Sequence, residues 1–274
     1  MQTPSCDPRV NAQRSGYTHA GFAARYDAYR PPPPPALLDL LCQFAQTPTP
    51  RLVVDLGSGT GLSTAVWADR AHQVIGIEPL EAMRRTAEAR YQFPHVSFHD
   101  ASAQHTGLPA STAEVVTCAQ SLHWMEPVST FAEVARILRP GGVFAAYDYD
   151  LLPTAHWEAE AAFVTFMAKV RTLRQAHVVP PGIQEWDKAG HLGRLQASHQ
   201  FRYVKELLLH HMEPCTAERW VGFALTLREV APVLDLGLEE EALGLEAFRR
   251  AADQTLGRRG LPWYVGYRVR VGVK

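Results

Sequence analysis

The first half of the chain alternates short apolar runs with segments whose apolar positions recur at helical spacing. Residues 51–56 (RLVVDL), 73–78 (QVIGIE), 95–100 (HVSFHD), 113–120 (AEVVTCAQ) and 142–150 (GVFAAYDYD) read as strands, several of them β-branched and bounded by turn residues. Between them, 62–70 (LSTAVWADR) reads as a helix. Pro79 suits the start of another, with Leu80, Met83 and Ala87 on one face. Segment 127–142 places Val128, Phe131, Val134, Ala135 and Leu138 in one stripe before Pro140, Gly141 and Gly142 stop it. Apolar rather than alternating strands, joined by helices, predict the α/β class: a doubly wound, mostly parallel sheet with helices on both faces and right-handed crossovers.

Beyond residue 150 the pattern changes. Segments 156–175, 216–227 and 238–256 read as helices, 201–213 as a strand, and 261–274 as a strongly alternating strand. Two antiparallel C-terminal edge strands and a helical cap over the carboxyl ends of the sheet follow. The chain thus divides into 1–35, a lid with a polyproline connector; 36–150, a ligand-binding core; and 151–274, strands completing the sheet plus the cap. Within the lead, 22–30 (FAARYDAYR) is an amphipathic helix ended by proline, and Pro31 to Pro35 form a stiff connector in preference to a ligand for a proline-recognising domain.

Composition narrows the partners. A formal net charge of -1 over 274 residues leaves little field to attract phosphate backbones or anionic lipid, so neither nucleic acid nor membrane is expected. Cys6, Cys42, Cys118 and Cys215 are scattered without C-x-x-C spacing, which suggests reduced thiols in a cytoplasmic protein and no metal site. His210 and His211 are neighbours in a strand and point to opposite faces, which disfavours joint metal binding. The first residues lack an apolar signal core, and no run reaches the roughly 18 apolar residues of a membrane span.

The chemistry is concentrated in 53–64, VVDLGSGTGLST. Glycine allows positive φ and lets a ligand approach bare backbone, and a bend from strand to helix lies at the carboxyl edge of an open sheet, where nucleotide-like ligands bind. Gly57, Gly59 and Gly61 give G-x-G-x-G, with Leu62 where a dinucleotide fingerprint has its third glycine, and no G-K-[ST] follows. Both pyrophosphate-binding motifs are therefore disfavoured.

Asp55 to Gly61 (DLGSGTG) resembles the first motif of the S-adenosylmethionine-dependent methyltransferases with a Rossmann-like fold. The similarity continues in order through IGIEP, FHDAS and ARILRPGG. The resemblance implies S-adenosylmethionine as cofactor. Backbone at Gly57, Ser58, Gly59, Thr60 and Gly61 would lie against its amino acid and ribose parts, and Asp55 would orient that loop or meet the ammonium. Glu78, followed by Pro79, would accept from both ribose hydroxyls; Asp100 would accept the adenine amine, with the Ala101 backbone donating to the ring; Gln120 and Ser121 would complete the cofactor site near the methyl group.

The flanks resemble a narrower group, small-molecule methyltransferases of the trans-aconitate type. Tyr26, Tyr29, Arg30 and Pro31 match its Y-x-x-Y-R-P lead, Pro33 stands where a tyrosine is expected, and His123 with Trp124 match its H-W pair. The resemblance implies a small-molecule methyl acceptor, O-methylation with carboxylates as one acceptor class, and an acceptor side built from Tyr26, Tyr29, Arg30, His123 and Trp124. His123 would bind a carboxylate acceptor, act as general base toward a hydroxyl or phenol, or simply pack beside Trp124. Two other functions compete: a cofactor-binding protein without catalysis, and a nicotinamide-dependent oxidoreductase, against which the missing third glycine argues.

Overall fold

A computed structural model describes residues 7–14, 22–178 and 184–274. Among them seven strands form one sheet: β1 (Leu52–Leu56), β2 (Gln73–Ile77), β3 (Val96–His99), β4 (Ala113–Ala119), β5 (Leu138–Tyr149), β6 (Tyr203–Cys215) and β7 (Leu261–Val273). Their order is β3-β2-β1-β4-β5-β7-β6. The first five are parallel, and β7 runs antiparallel to both β5 and β6. The order reverses between β1 and β4, so the chain leaving β1 bends at the topological switch point.

Ahead of the sheet lie α1 (Pro8–Arg14), α2 (Phe22–Tyr29) and α3 (Pro35–Phe44). The core contributes α4 (Leu62–Ala65), α5 (Glu81–Arg90), a single 3-10 turn at Leu122–Trp124 and α6 (Pro127–Ile137). The C-terminal part adds α7 (Trp157–His177), α8 (His191–Ala197), α9 (Ala217–Leu225), α10 (Ala231–Leu234), α11 (Glu240–Leu243) and α12 (Leu245–Thr255). No helix of the described residues is long and apolar enough to cross a membrane.

Both faces of the sheet are covered, as continuous apolar strands require. Val53, Val74, Val115, Val143 and Val269 pack with α3, α7, α9 and α12 on one face; Val54, Ile75, Val116, Phe144 and Ala146 pack with α6, Leu195 and Phe201 on the other. β7 pairs β5 only from Val273 to Tyr267, but pairs β6 all the way to Leu261. The overhanging hairpin carries Trp263, whose ring meets Phe223 and Trp220 of α9, and Phe166 of α7 stacks on Phe248 of α12. This aromatic layer holds the helical cap over the sheet.

Several elements differ from the sequence expectation. The helix over 62–70 stops after one turn, because Trp67, Ala68 and Arg70 bond back three residues as successive turns. In α6 the exposed Val128 falls outside the stripe, while Thr130 and Ile137 are buried; Glu126 caps the helix by accepting from Val128 and Ser129 amides, and Leu138 opens β5 instead of ending the helix. Gly244, at φ +75°, splits 238–256 into α11 and α12. Pro35, the last of the proline run, is the first residue of α3, a position where its missing N–H costs nothing. The preceding prolines are largely buried, and the Tyr267 phenol donates to Pro32 O at 2.9 Å.

Candidate functional site

One cavity runs along the carboxyl rim of the sheet. The bend after β1 forms its centre. Asp55 is fully buried beneath it: Oδ2 accepts from Ser63 Oγ (2.6 Å) and Thr64 Oγ1 (2.8 Å), and Oδ1 from Thr117 Oγ1 (2.7 Å). Burial raises its pKa while the three hydroxyls pull it back. Asp55 does not line the cavity. Through these bonds it ties β1, β4 and α4 together.

The glycines divide their work. Gly59, at φ +56°, lines the cavity, and a Cβ there would meet nothing within 4 Å, so bare backbone fronts the open space. Gly61, at φ +85°, lies off the cavity; a Cβ would come within 2.9 Å of Phe98 and Tyr91, so this position serves the packing of the bend against β3 and α5. Gly57, Ser58 and Thr60 also line the wall, joined by Leu62 and Ser63.

Glu78, at the end of β2, is buried and lines the cavity. Its Oε2 accepts from Gly59 N (2.9 Å) and its Oε1 from Leu80 N (2.8 Å). Burial pushes its pKa up to about 7, against the pull of these two amides and of Arg84. A carboxylate has about four acceptor positions, so each oxygen keeps capacity for one more donor. Pro79 lies beside it in the wall. Asp100 and Ala101 do not line the cavity: Asp100 is half-exposed and paired with Arg9 (2.9 Å) and Arg84 (3.6 Å), and the Ala101 amide donates to His99 O (3.0 Å). The turn after β3 instead presents Ser102, Ala103 and Gln104. A single sequence carries no signal for that shift, since it depends on how the turn bonds back on itself.

Toward β5 and β7 the wall becomes aromatic, with Tyr147, Tyr149, Tyr267, Tyr26 and Trp124. Tyr147 and Tyr149 are not among the residues the sequence motifs point to, although their alternation in AAYDYD places them on one face of a strand. Arg30 enters this half with Nε on Thr226 Oγ1 (2.7 Å), Nη2 on Thr226 O (2.8 Å) and Nη1 on the Tyr149 phenol. Its guanidinium lies 4.7 Å from the Tyr26 ring centre and 5.1 Å from that of Phe223. No acidic side chain among the described residues forms an ion pair with it. Tyr29 is turned away: its phenol donates to Glu218 (3.1 Å), and its ring occupies the space a side chain at Gly222 of α9 would need. The expected tyrosine pair of α2 is therefore split, Tyr26 to the cavity and Tyr29 to helix packing. Pro33 lines the wall at the position where the resemblance expects a hydroxyl.

Gln120 and Ser121 follow β4 and line the cavity. Gln120 sits at φ +53°, a strained backbone for a non-glycine residue, held by its amide on Tyr147 O (2.9 Å). Ser121 Oγ donates to Leu56 O (2.8 Å). Trp124 reaches the cavity; His123 does not. The imidazole is buried against Trp124 at 4.6 Å between ring centres, with Nδ1 lacking a hydrogen-bond partner among the described residues. Burial, assisted by Lys188, lowers its pKa to about 3, so it is neutral at physiological pH. Binding and general-base roles would need the ring at the cavity, and in this structure it lies off the lining, against Trp124. No group of three or more metal-ligating side chains occurs among the described residues.

Residues 54–146 match the methyltransferase-domain family. An uncharacterized methyltransferase of Mycobacterium tuberculosis is 34% identical over 117 residues, 43% of this chain and 46% of that protein. The trans-aconitate 2-methyltransferase of Acidovorax sp. (strain JS42) is 36% identical over 111 residues, 39% of this chain and 42% of that one. The matched region thus spans less than half the length of either relative. Among solved structures, a candidate type II methyltransferase from Anaeromyxobacter dehalogenans superposes with a TM-score of 0.64 at 26% identity, covering 89% of this chain and 98% of that one.

Proposed function

Over residues 54–146 the chain belongs to the methyltransferase-domain family, and from that premise we propose that it transfers a methyl group from S-adenosylmethionine to a carboxylate oxygen of a small molecule. The observation that carries this reading is a single cavity with two chemically different halves. Over β1, β2 and β3 it offers the bare backbone of Gly59 and a buried carboxylate at Glu78 with acceptor capacity to spare, the donor-seeking pair that a ribose with two hydroxyls fits. Over β5 and β7 it offers an aromatic box around the Arg30 guanidinium.

Bound there, the cofactor would supply a methyl group already activated by a sulfonium. The protein's own contribution is alignment and exclusion of water. Glu78 and the 57–60 backbone would hold the nucleoside, and Ser102, Ala103 and Gln104 would flank the base. Arg30 would orient an anionic acceptor, with Tyr26, Tyr149 and Trp124 as walls. Among the described residues no histidine, lysine or aspartate lines the cavity, and the Tyr147 and Tyr267 phenols are pushed far above neutrality by burial. An acceptor that needs no deprotonation suits such a wall, and a carboxylate is already nucleophilic at neutral pH. The trans-aconitate 2-methyltransferase relative supports the same acceptor class.

In this reading 36–150 binds the cofactor, 151–274 caps the acceptor site, and 1–35 closes over both. We place the protein in the cytoplasm, a reducing compartment that suits the buried free thiols Cys42, Cys118 and Cys215. The test pairs calorimetry with S-adenosylmethionine and mass-spectrometric product detection on pooled carboxylates, phenols and amines. Cofactor binding and methyl ester formation are expected, with Arg30→Leu keeping the first and losing most of the second. A folded sample that binds no S-adenosylmethionine removes the whole reading; methylation confined to phenols or amines removes the carboxylate.

A further inference from the structure

The cavity wall contains a polar group whose direction is set from outside the region matched by the family. Lys188 belongs to the segment before α8, and its ammonium donates to Gln120 Oε1 at 2.9 Å. An ammonium has no lone pair to offer, so the amide oxygen must face Lys188 and the amide nitrogen must face away. That nitrogen, Nε2, is buried and has no hydrogen-bond partner among the described residues. A buried donor without a partner is costly, and on a cavity-lining residue of strained backbone it suggests that a ligand atom satisfies it.

Lys188 is itself held firmly. Its Nζ lies 2.8 Å from Asp148 Oδ1, an ion contact more than an aligned hydrogen bond, and Arg270 binds the other Asp148 oxygen (2.7 Å) while also donating to the Lys188 carbonyl (3.2 Å). The segment is fastened to the rim by Trp186 N on His123 O (2.9 Å), by Asn11, whose amide bonds Gln184 through both N–H and C=O groups (2.8 Å each), and by Arg228 on Glu185 (2.8 Å). These contacts make Lys188 a fixed point and not a freely rotating surface ammonium.

The strand order says which ligand atom is meant. If the base lies by Ser102 after β3 and the ribose by Glu78 after β2, continuing past β1 brings the amino acid arm of S-adenosylmethionine to β4, where Gln120 stands. The arm carries one carboxylate, an acceptor for an amide donor. Resting on the methyltransferase reading above, we infer that Lys188 is a positioning residue, which locks the Gln120 amide so that Nε2 donates to the carboxylate of the bound cofactor.

Two ligands separate this role from a structural one: S-adenosylmethionine, and 5′-methylthioadenosine, which keeps adenine, ribose and sulfur but lacks the amino acid arm. In calorimetry Lys188→Met is expected to weaken S-adenosylmethionine about tenfold, the scale of one hydrogen bond to a charged group, while 5′-methylthioadenosine stays within about twofold. Lys188→Arg, which keeps a donor to Oε1, should restore most of the loss. Gln120→Leu should reproduce the loss, and Lys188→Met on top of it should add nothing further. The inference is overturned if folded Lys188→Met binds S-adenosylmethionine as tightly as wild type, or if both ligands weaken equally. Wild-type protein that binds 5′-methylthioadenosine but gains nothing from the amino acid arm also overturns it, whereas failure to bind either ligand overturns the methyltransferase reading itself.

Discussion

Replacing Glu78 by alanine removes both acceptors proposed for the ribose. Each hydrogen bond to a charged group contributes about 1.5–3 kcal/mol, so two give about 3–6 kcal/mol before offsets. With a pKa of about 7, half of the free protein must lose a proton at pH 7, which subtracts about 0.4 kcal/mol. In the variant, water can satisfy the Gly59 and Leu80 amides that Glu78 now holds, recovering part of the rest. A net loss of about 1–3 kcal/mol remains, or about 5- to 150-fold in affinity for S-adenosylmethionine. The sign of the pH dependence follows from burial having raised this pKa. Ribose hydroxyls favour the ionised form, so wild-type affinity should fall about tenfold from pH 8 to pH 6 as the ionised share drops from about nine-tenths to one-tenth. Calorimetry at pH 6, 7 and 8 reads both effects, and Glu78→Ala reports the ligand's own titration separately. Equal affinity of variant and wild type, with circular dichroism showing both folded, would refute the ribose assignment.

The buried His123 makes an opposite, stability-linked prediction. Its folded pKa of about 3 lies below the unfolded value of about 6.5, so its contribution is lost as pH falls, at up to about 1.4 kcal/mol per pH unit; His191, lowered to about 4, acts in the same direction. Glu78, raised to about 7, opposes them, since its contribution is present below its unfolded pKa and lost as pH rises toward 7. Thermal melts from pH 6.5 to 4.5 should therefore show wild type weakening with acid and His123→Gln flattened, and an unchanged slope would count against the assignment. Cofactor affinity of His123→Gln should stay within about twofold, because the ring is off the cavity. Gly59→Ala should cost only about 1–2 kcal/mol of stability for its left-handed backbone yet lose ligand affinity, whereas Gly61→Ala should destabilise more by colliding with Phe98 and Tyr91. Melts and titrations on the pair check this; a Gly59→Ala protein binding at wild-type affinity would show that bare backbone is not used.

The parallel core was legible because both of its signals are local. Apolar β-branched runs mark buried strands, and a G-x-G-x-G bend has few other uses at the end of one. The same locality placed Glu78, one residue past β2, and Gln120, one past β4, in the cavity wall. Where the expectation went astray, the deciding contact was distant in sequence. Tyr29 turns away because α9 offers the bare Gly222 beside it, nearly two hundred residues on. His123 lies off the cavity lining, and its carbonyl accepts from Trp186, more than sixty residues on. Lys188 could not be found at all, since nothing near it in the chain hints that Asp148 and Gln120 converge on its ammonium. The proline run reads as a connector, but Pro31 and Pro33 line the cavity and Tyr267 from the last strand bonds Pro32 between them.

A crystal structure of the protein grown with S-adenosylhomocysteine tests the assignment of the cavity most directly. The expected density has the ribose hydroxyls on Glu78, the base beside Ser102 to Gln104, and the carboxylate within hydrogen-bond distance of Gln120 Nε2. Density for the compound at another place on the molecule, or a bend after β1 filled by the protein's own side chains, would contradict it.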